Sequence, residues 1–332
     1  MAIVVQRIFC TRKREVPPPH FLSSDMPSKV GIRIPRDSSI EAAKLLLHKS
    51  THVADQTLAQ TISKENKWRV NYYKHLVRHA ELMATDSKVA VQMAREGMKC
   101  MYDNFLYIST EGSAPVPLSA IQSVPPNRSF HIVEVVGSGA QSFSPIDISI
   151  PYQGKILTGP ALQKQAQCWG SNGVMEGSAV TSLLSMSQAP VDARGINFIA
   201  LGAFSEMGPT LNLLKYGATV LAIDLPRPAQ WKELITFAKQ SPGKLIFPCS
   251  EAVSNDADST TLAQHAGANL VEQLPDILHW IKQIVAPGGR LGCKRHHNGD
   301  DSAERLVLGN YVYADGTKFF QVVAAVLAPL GF

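Results

Sequence analysis

Residues 196–228 read INFIALGAFSEMGPTLNLLKYGATVLAIDLPRP, and the reading of this stretch decides the fold. Ile196 to Leu201 is a short, β-rich apolar run without alternation, the pattern of a parallel strand covered on both faces. It stops at Gly202. Gly208 and Pro209 open a helical segment with Leu211 and Leu214 on its inner side, and Gly217 ends it. Ala218 to Ile223 is a second buried strand, with Asp224 at its carboxyl end. The product is a compact strand, turn, helix, strand unit.

Downstream the alternation continues. A helix is predicted at Trp231–Lys239, a strand at Lys244–Phe247, a helix at Leu274–Ile284 and a strand at Arg305–Leu308 that runs into Gly309 and Asn310. Such alternation predicts an α/β fold with a doubly wound parallel sheet over residues 195–332, any ligand lying at the carboxyl ends of its strands. Upstream the period changes. Ser38-Ser39-Ile40-Glu41 has the form of a reciprocal helix cap, and apolar residues then recur at three- and four-residue steps through Met83 and from Val89 to Phe105. Three or four packed helices are expected over residues 36–125, their methionines serving as core. Pro115 to Asn127 reads as a connector. Residues 126–194 form a connecting region with a strand at Phe130–Val136 and helices near Ala161–Trp169 and Gly177–Met186. Residues 1–35, rich in Arg, Lys and Pro, read as a flexible basic arm.

The unit at 196–228 resembles the first βαβ of the NAD(P)-binding Rossmann superfamily. There a glycine turn admits the pyrophosphate, a helix N-terminus faces its charge, and an acid ending the second strand holds the ribose. Gly202, Gly208 and Asp224 match these roles, with Gly202 and Asp224 22 positions apart. The resemblance implies that Ala203 and Ser205 line the turn, that Arg227 sits where it could meet a 2′-phosphate, and that the cofactor is NAD or NADP. It departs from the fingerprint at Phe204 and Met207, where one alignment wants glycine, and at Glu206, where another does. The reading rests on bare main-chain amides near residue 205; a hollow filled by Phe204, Glu206 or Met207 would remove it. An oxidoreductase of unknown small-molecule substrate is the implied activity. Tyr311 and Tyr313, in GNYVYADG beyond a strand end, are the first candidates for proton transfer, although none of the tyrosines has the Lys four residues on that short-chain dehydrogenases use.

Two other functions stay open. S-adenosylmethionine methyltransferases share the glycine turn and the acid, and Ala286-Pro287-Gly288-Gly289-Arg290-Leu291 looks like a loop of that fold; Ala200-Leu201 lacks the acid that usually precedes its turn. A non-catalytic scaffold mediating protein contacts would account for Glu206 and the missing glycine.

Composition limits the partners. In 332 residues, 45% hydrophobic and 18% charged, a net charge of +5 is too mild to argue for nucleic acid. The C-terminal run FFQVVAAVLAPLGF is too short for a membrane span. Cys10, Cys100, Cys168, Cys249 and Cys293 form no CxxC, so a reducing, cytoplasmic location is expected, with organelle targeting by the basic N-terminus left open. A homo-oligomer is compatible with all of this. Neither a G-x-S-x-G nor a phosphate-binding P-loop is present. His75 and His79 share a helical face but lack a third ligand, so no metal site is expected; His296–Asp301 reads as an exposed loop, and nothing argues that Cys249 is reactive.

Overall fold

The computed structural model describes residues 30–139, 144–286, 288–291 and 305–327, so the basic arm and the His296–Asp301 tract lie outside the described residues. The described residues open with a short strand β1 (Gly31–Arg33), followed by four α-helices: α1 (Ser39–His52), α2 (Gln56–Lys64), α3 (Trp68–Thr85) and α4 (Ser87–Asn104). Ser38 caps α1 by accepting the Glu41 N–H at 3.4 Å, but the reciprocal half of the expected cap is replaced: the Ser38 N–H donates to the Pro35 carbonyl at 3.2 Å and the Glu41 carboxylate meets Arg36. Two further strands follow, β2 (Leu106–Ile108) and β3 (Val116–Pro117), and β1, β2 and β3 make a small antiparallel sheet that the helical periodicity hides. Residues 115–127 are more than a connector. A 3-10 turn over Leu118–Ser123 buries Leu118 and Ile121, anchored by Leu118 N–H donating to the Phe105 carbonyl at 3.0 Å.

Next come β4 (His131–Val136), the hairpin β5 (Ile150–Tyr152) and β6 (Lys155–Leu157), and the helices α5 (Gly159–Ser171) and α6 (Gly177–Met186). The decisive stretch forms β7 (Ile196–Leu201), α7 (Thr210–Lys215) and β8 (Thr219–Ile223). Pro209 stands just outside α7, as its N-cap, rather than inside it. The rest is α8 (Pro228–Gln240), β9 (Lys244–Cys249), α9 (Ser259–His265), α10 (Leu274–Val285), β10 (Arg305–Asn310) and α11 (Thr317–Leu327).

The fold is mixed α/β, a helical N-terminal part followed by a five-stranded, mostly parallel sheet in the order β10-β7-β8-β9-β4. Strands β10, β7, β8 and β9 run parallel; β4 joins β9 antiparallel, with Val133 opposite Phe247. The strand of the connecting region is therefore part of the main sheet. Successive side chains of a strand alternate between faces, and here both faces are covered, which explains the unalternated apolar runs. Phe198, Ala200, Val220, Ala222, Leu245 and Phe247 pack under α8 and α9, around the buried Trp231. Ile199, Leu201, Leu221, Ile223 and Ile246 face the other way, against Trp280 and its neighbours on α10, Ala324 on α11 and residues of the N-terminal part such as Phe105 and Tyr107. That second core ties the helical part directly to the sheet. Asp276 on α10, 2% exposed, accepts the backbone N–H groups of Asn127 at 2.7 Å and Arg128 at 3.3 Å, pinning the chain that enters β4. No described helix is long and apolar enough to cross a membrane.

Candidate functional site

The turn after β7 is closed by its own hydrogen bonds. The N–H groups of Gly202 and Ala203 donate to the Ile223 carbonyl at 2.9 and 3.3 Å, that of Ser205 to the Gly202 carbonyl at 3.1 Å, and that of Gly208 to the Ser205 carbonyl at 2.8 Å. The Met207 N–H reaches Ser205 Oγ at 3.3 Å. Asp224, at the end of β8, turns its carboxylate toward the backbone: Oδ2 accepts the Phe204 N–H and Oδ1 the Leu225 N–H, each at 2.8 Å. Burial pushes the Asp224 carboxyl above its ordinary range, against the opposing pull of these two N–H groups and of Arg227. Arg227 itself is exposed, with Nη1 3.4 Å from Gln230 Oε1.

The expectation of bare amides near residue 205 is thus corrected: the turn satisfies most of its donors internally because an unpaired N–H in a half-buried loop is costly. Of the three side chains that could fill the hollow, Glu206 is exposed and Met207 is 68% exposed. Phe204 instead lays its ring edge-on against Trp231, with centroids 4.9 Å apart. The carboxyl end of β8 is covered as well. The Ala268 N–H donates to the Asp224 carbonyl at 2.8 Å, and the Trp231 Nε1–H donates to the Leu225 carbonyl at 3.0 Å.

Gly202 has φ +81°, and a Cβ there would stand 2.7 Å from the Val312 nitrogen and 2.8 Å from the Tyr311 carbonyl carbon. Glycine is required by the close passage of the chain leaving β10, whose Tyr311 N–H donates to the Leu201 carbonyl at 2.8 Å. The structure thereby brings together residues that the sequence places a hundred positions apart. Tyr311 is half-buried over Phe198, with ring centroids 6.4 Å apart, and its ring lies 3.6 Å from where a Gly208 Cβ would be. Burial pushes its phenol up. Tyr313 goes elsewhere: it is 78% exposed and donates its hydroxyl to Asp315 at 2.7 Å. Thr210, which no sequence signal singles out, is 2% exposed beside this turn, and its Oγ1 has no hydrogen-bond partner among the described residues.

Other sequence candidates are occupied structurally. The Gly288-Gly289 loop closes α10, with the Gly289 N–H on the Ala286 carbonyl at 2.7 Å and the Leu291 N–H on that of Ile284 at 3.0 Å. Arg290 lies 3.2 Å from Glu134 on β4, at the sheet edge opposite β10. His75 Nε2 is 3.2 Å from Glu65 Oε2, and His79 Nδ1 is 2.9 Å from Thr51 Oγ1. Cys249 is buried, and its thiol is pushed up to about 12 by desolvation. A cleft of about 490 Å³ lies by Arg33, Arg36, Asp37 and Gly112, where Arg33 pairs with Asp37. A second, of about 180 Å³, lies by Gln122, Pro275, His279 and Lys282. Neither borders the turn. Comparison with protein-family models, with curated proteins and with solved structures returned no match.

Proposed function

We propose that the chain is a Rossmann-type protein that binds an adenine dinucleotide, NAD or NADP, at the carboxyl ends of β7 and β10, and acts as an NAD(P)-dependent oxidoreductase. The observation that carries this reading is the sheet order. From β7 the chain steps outward through β8 and β9, and β10 then returns to the other side of β7. In a doubly wound sheet a ligand sits where the order reverses. Gly202, Gly208 and Tyr311 meet at that reversal, and Thr210 opens α7 two residues after Gly208.

The residues present leave a dinucleotide something to bind. A carboxylate offers about four acceptor sites. Asp224 spends two on backbone donors, so each oxygen keeps one for a ribose hydroxyl. The buried Thr210 hydroxyl has no partner among the described residues, and a phosphate oxygen would supply one. Ser205 stands half-buried at the turn while Ala203 is packed into the core beneath it, and the exposed Arg227, whose charge acts on Asp224, would stand near a 2′-phosphate. A bound nicotinamide would supply hydride exchange. Tyr311, half-buried against Phe198 and Gly208, is the better candidate to hold or move a proton there, since Tyr313 is 78% exposed.

A second reading has its own observation. The turn's amides are bonded internally, as a scaffold without a cofactor would have them. A thermal-shift series with NAD, NADP, S-adenosylmethionine and S-adenosylhomocysteine separates these readings. At 100 times its Kd a true ligand stabilises by about 2.7 kcal/mol. A dinucleotide shift that weakens in Asp224→Ala, measured against that variant's own baseline, supports the reading. Response to the sulfonium nucleosides alone moves the chain to methyl transfer, and no response to any of the four leaves the scaffold.

A further inference from the structure

The two edges of the main sheet are treated differently. Strand β4 is guarded: its Glu134 N–H is taken by Asn255 Oδ1 at 3.0 Å, and the Glu134 carboxylate holds Lys244 at 3.0 Å and Arg290 at 3.2 Å. Charges and side-chain caps of this kind stop a strand edge from recruiting another strand. Among the described residues strand β10 has no such guard. It is six residues long, carries no charged residue from Leu306 to Asn310, and among the described residues pairs with β7 alone. Leu306, Val307 and Leu308 are 42%, 40% and 37% exposed in succession, so apolar side chains stand open on both faces of the strand.

We propose that this edge pairs with a second copy of the chain, β10 against β10 across a two-fold axis, extending the sheet from one subunit into the other. An open strand edge presents alternating donors and acceptors, and another strand is what complements them. The same sequence supplies that complement. With the axis at Val307, an antiparallel pair sets Val307 opposite Val307, Leu306 opposite Leu308 and Arg305 opposite Gly309. Apolar residues meet apolar residues, and no two arginines are opposed. An isologous interface of this form closes at two copies and buries both bare edges at once.

The test is sedimentation of the full chain over a range of concentration, beside Val307→Lys. The expected result is a concentration-dependent dimer that becomes monomeric in the variant with unchanged circular dichroism. A wild-type chain that sediments at the single-chain mass up to about 100 µM, well above the micromolar range of ordinary specific pairing, overturns the proposal. So does a folded Val307→Lys variant that remains dimeric. Should the lysine variant fail to fold, Val307→Cys decides: the two-fold puts the new thiols face to face, so mild oxidation should give a crosslinked dimer absent from the wild type and from Val136→Cys on the guarded edge. Without that crosslink the pairing is wrong.

Discussion

Strand β8 and helix α3 hold opposite positions in the molecule. From Val220 to Ile223, β8 is at most 1% exposed, walled by apolar side chains on both faces. Helix α3 has 18 residues to the strand's 5 and buries His75 alone, while Val70, Tyr72, Tyr73, Leu76 and Val77 stand open. On its inner side α3 sets His75 against Glu65, stacks Trp68 on His75 with centroids 5.8 Å apart, sets His79 against Thr51, and leaves Leu82 and Met83 half-buried. The sheet therefore rests on dry packing, which is insensitive to pH. The outer helix rests in part on two groups whose proton affinity folding changes, His79 and Glu65.

The largest effect that could break this contrast is in the sheet core. Trp231→Ala removes a fully buried ring under β8 and β9 and should cost about 3 to 5 kcal/mol in denaturant unfolding, whereas Leu76→Ala on α3 should stay within about 0.5 kcal/mol. A large loss at Leu76 would mean that something covers α3. Next is Gly202→Ala, which forces a side chain into a positive-φ site with backbone atoms 2.7 and 2.8 Å away. Its cost should be about 1 to 3 kcal/mol, as at other strained positions, and a neutral outcome would show that the β10 exit does not press on the turn.

The smallest effect sharpens the contrast through acid. Burial holds the His79 imidazole below its ordinary value of 6.5, so the unfolded chain binds the proton more readily than the folded one. The stability this group confers is complete above about 6.5 and is lost as the pH falls through its folded value. Glu65, held low first by the Lys67 N–H and also by His75, works in the same direction below its ordinary 4.5. Hydrogen exchange followed from pH 7.5 to 5, after correction for intrinsic rates, should show α3 losing protection before β8. In His79→Gln the part of that loss beginning near 6.5 should flatten; equal losses in strand and helix would end the contrast.

Much of this architecture was legible in the residues themselves. The strands β7, β8 and β9 were visible as apolar runs between glycine, proline and acidic stops, and Ser38 announced α1, because caps and periodicity act over a few neighbouring positions. The small sheet of β1 to β3 was not legible, since strands of two or three residues carry too little pattern. At the candidate site the sequence supplied Gly202, Asp224 and Tyr311 as residues worth watching, but for reasons the structure changes. Thr210 left no trace, because a buried hydroxyl without a partner is defined by what surrounds it.

What the chain's order of residues determined alone is local: which segments become strand or helix, where each stops, and that the strands must be covered on both sides. Only the closed tertiary structure decided that β4 turns antiparallel beside β9, that Asp224 faces the Phe204 amide, and that Gly202 meets Tyr311. The reason is separation. Backbone preference extends over a turn or two of chain, whereas these pairings join positions from 20 to more than 100 residues apart and exist only after the packed faces bring them together.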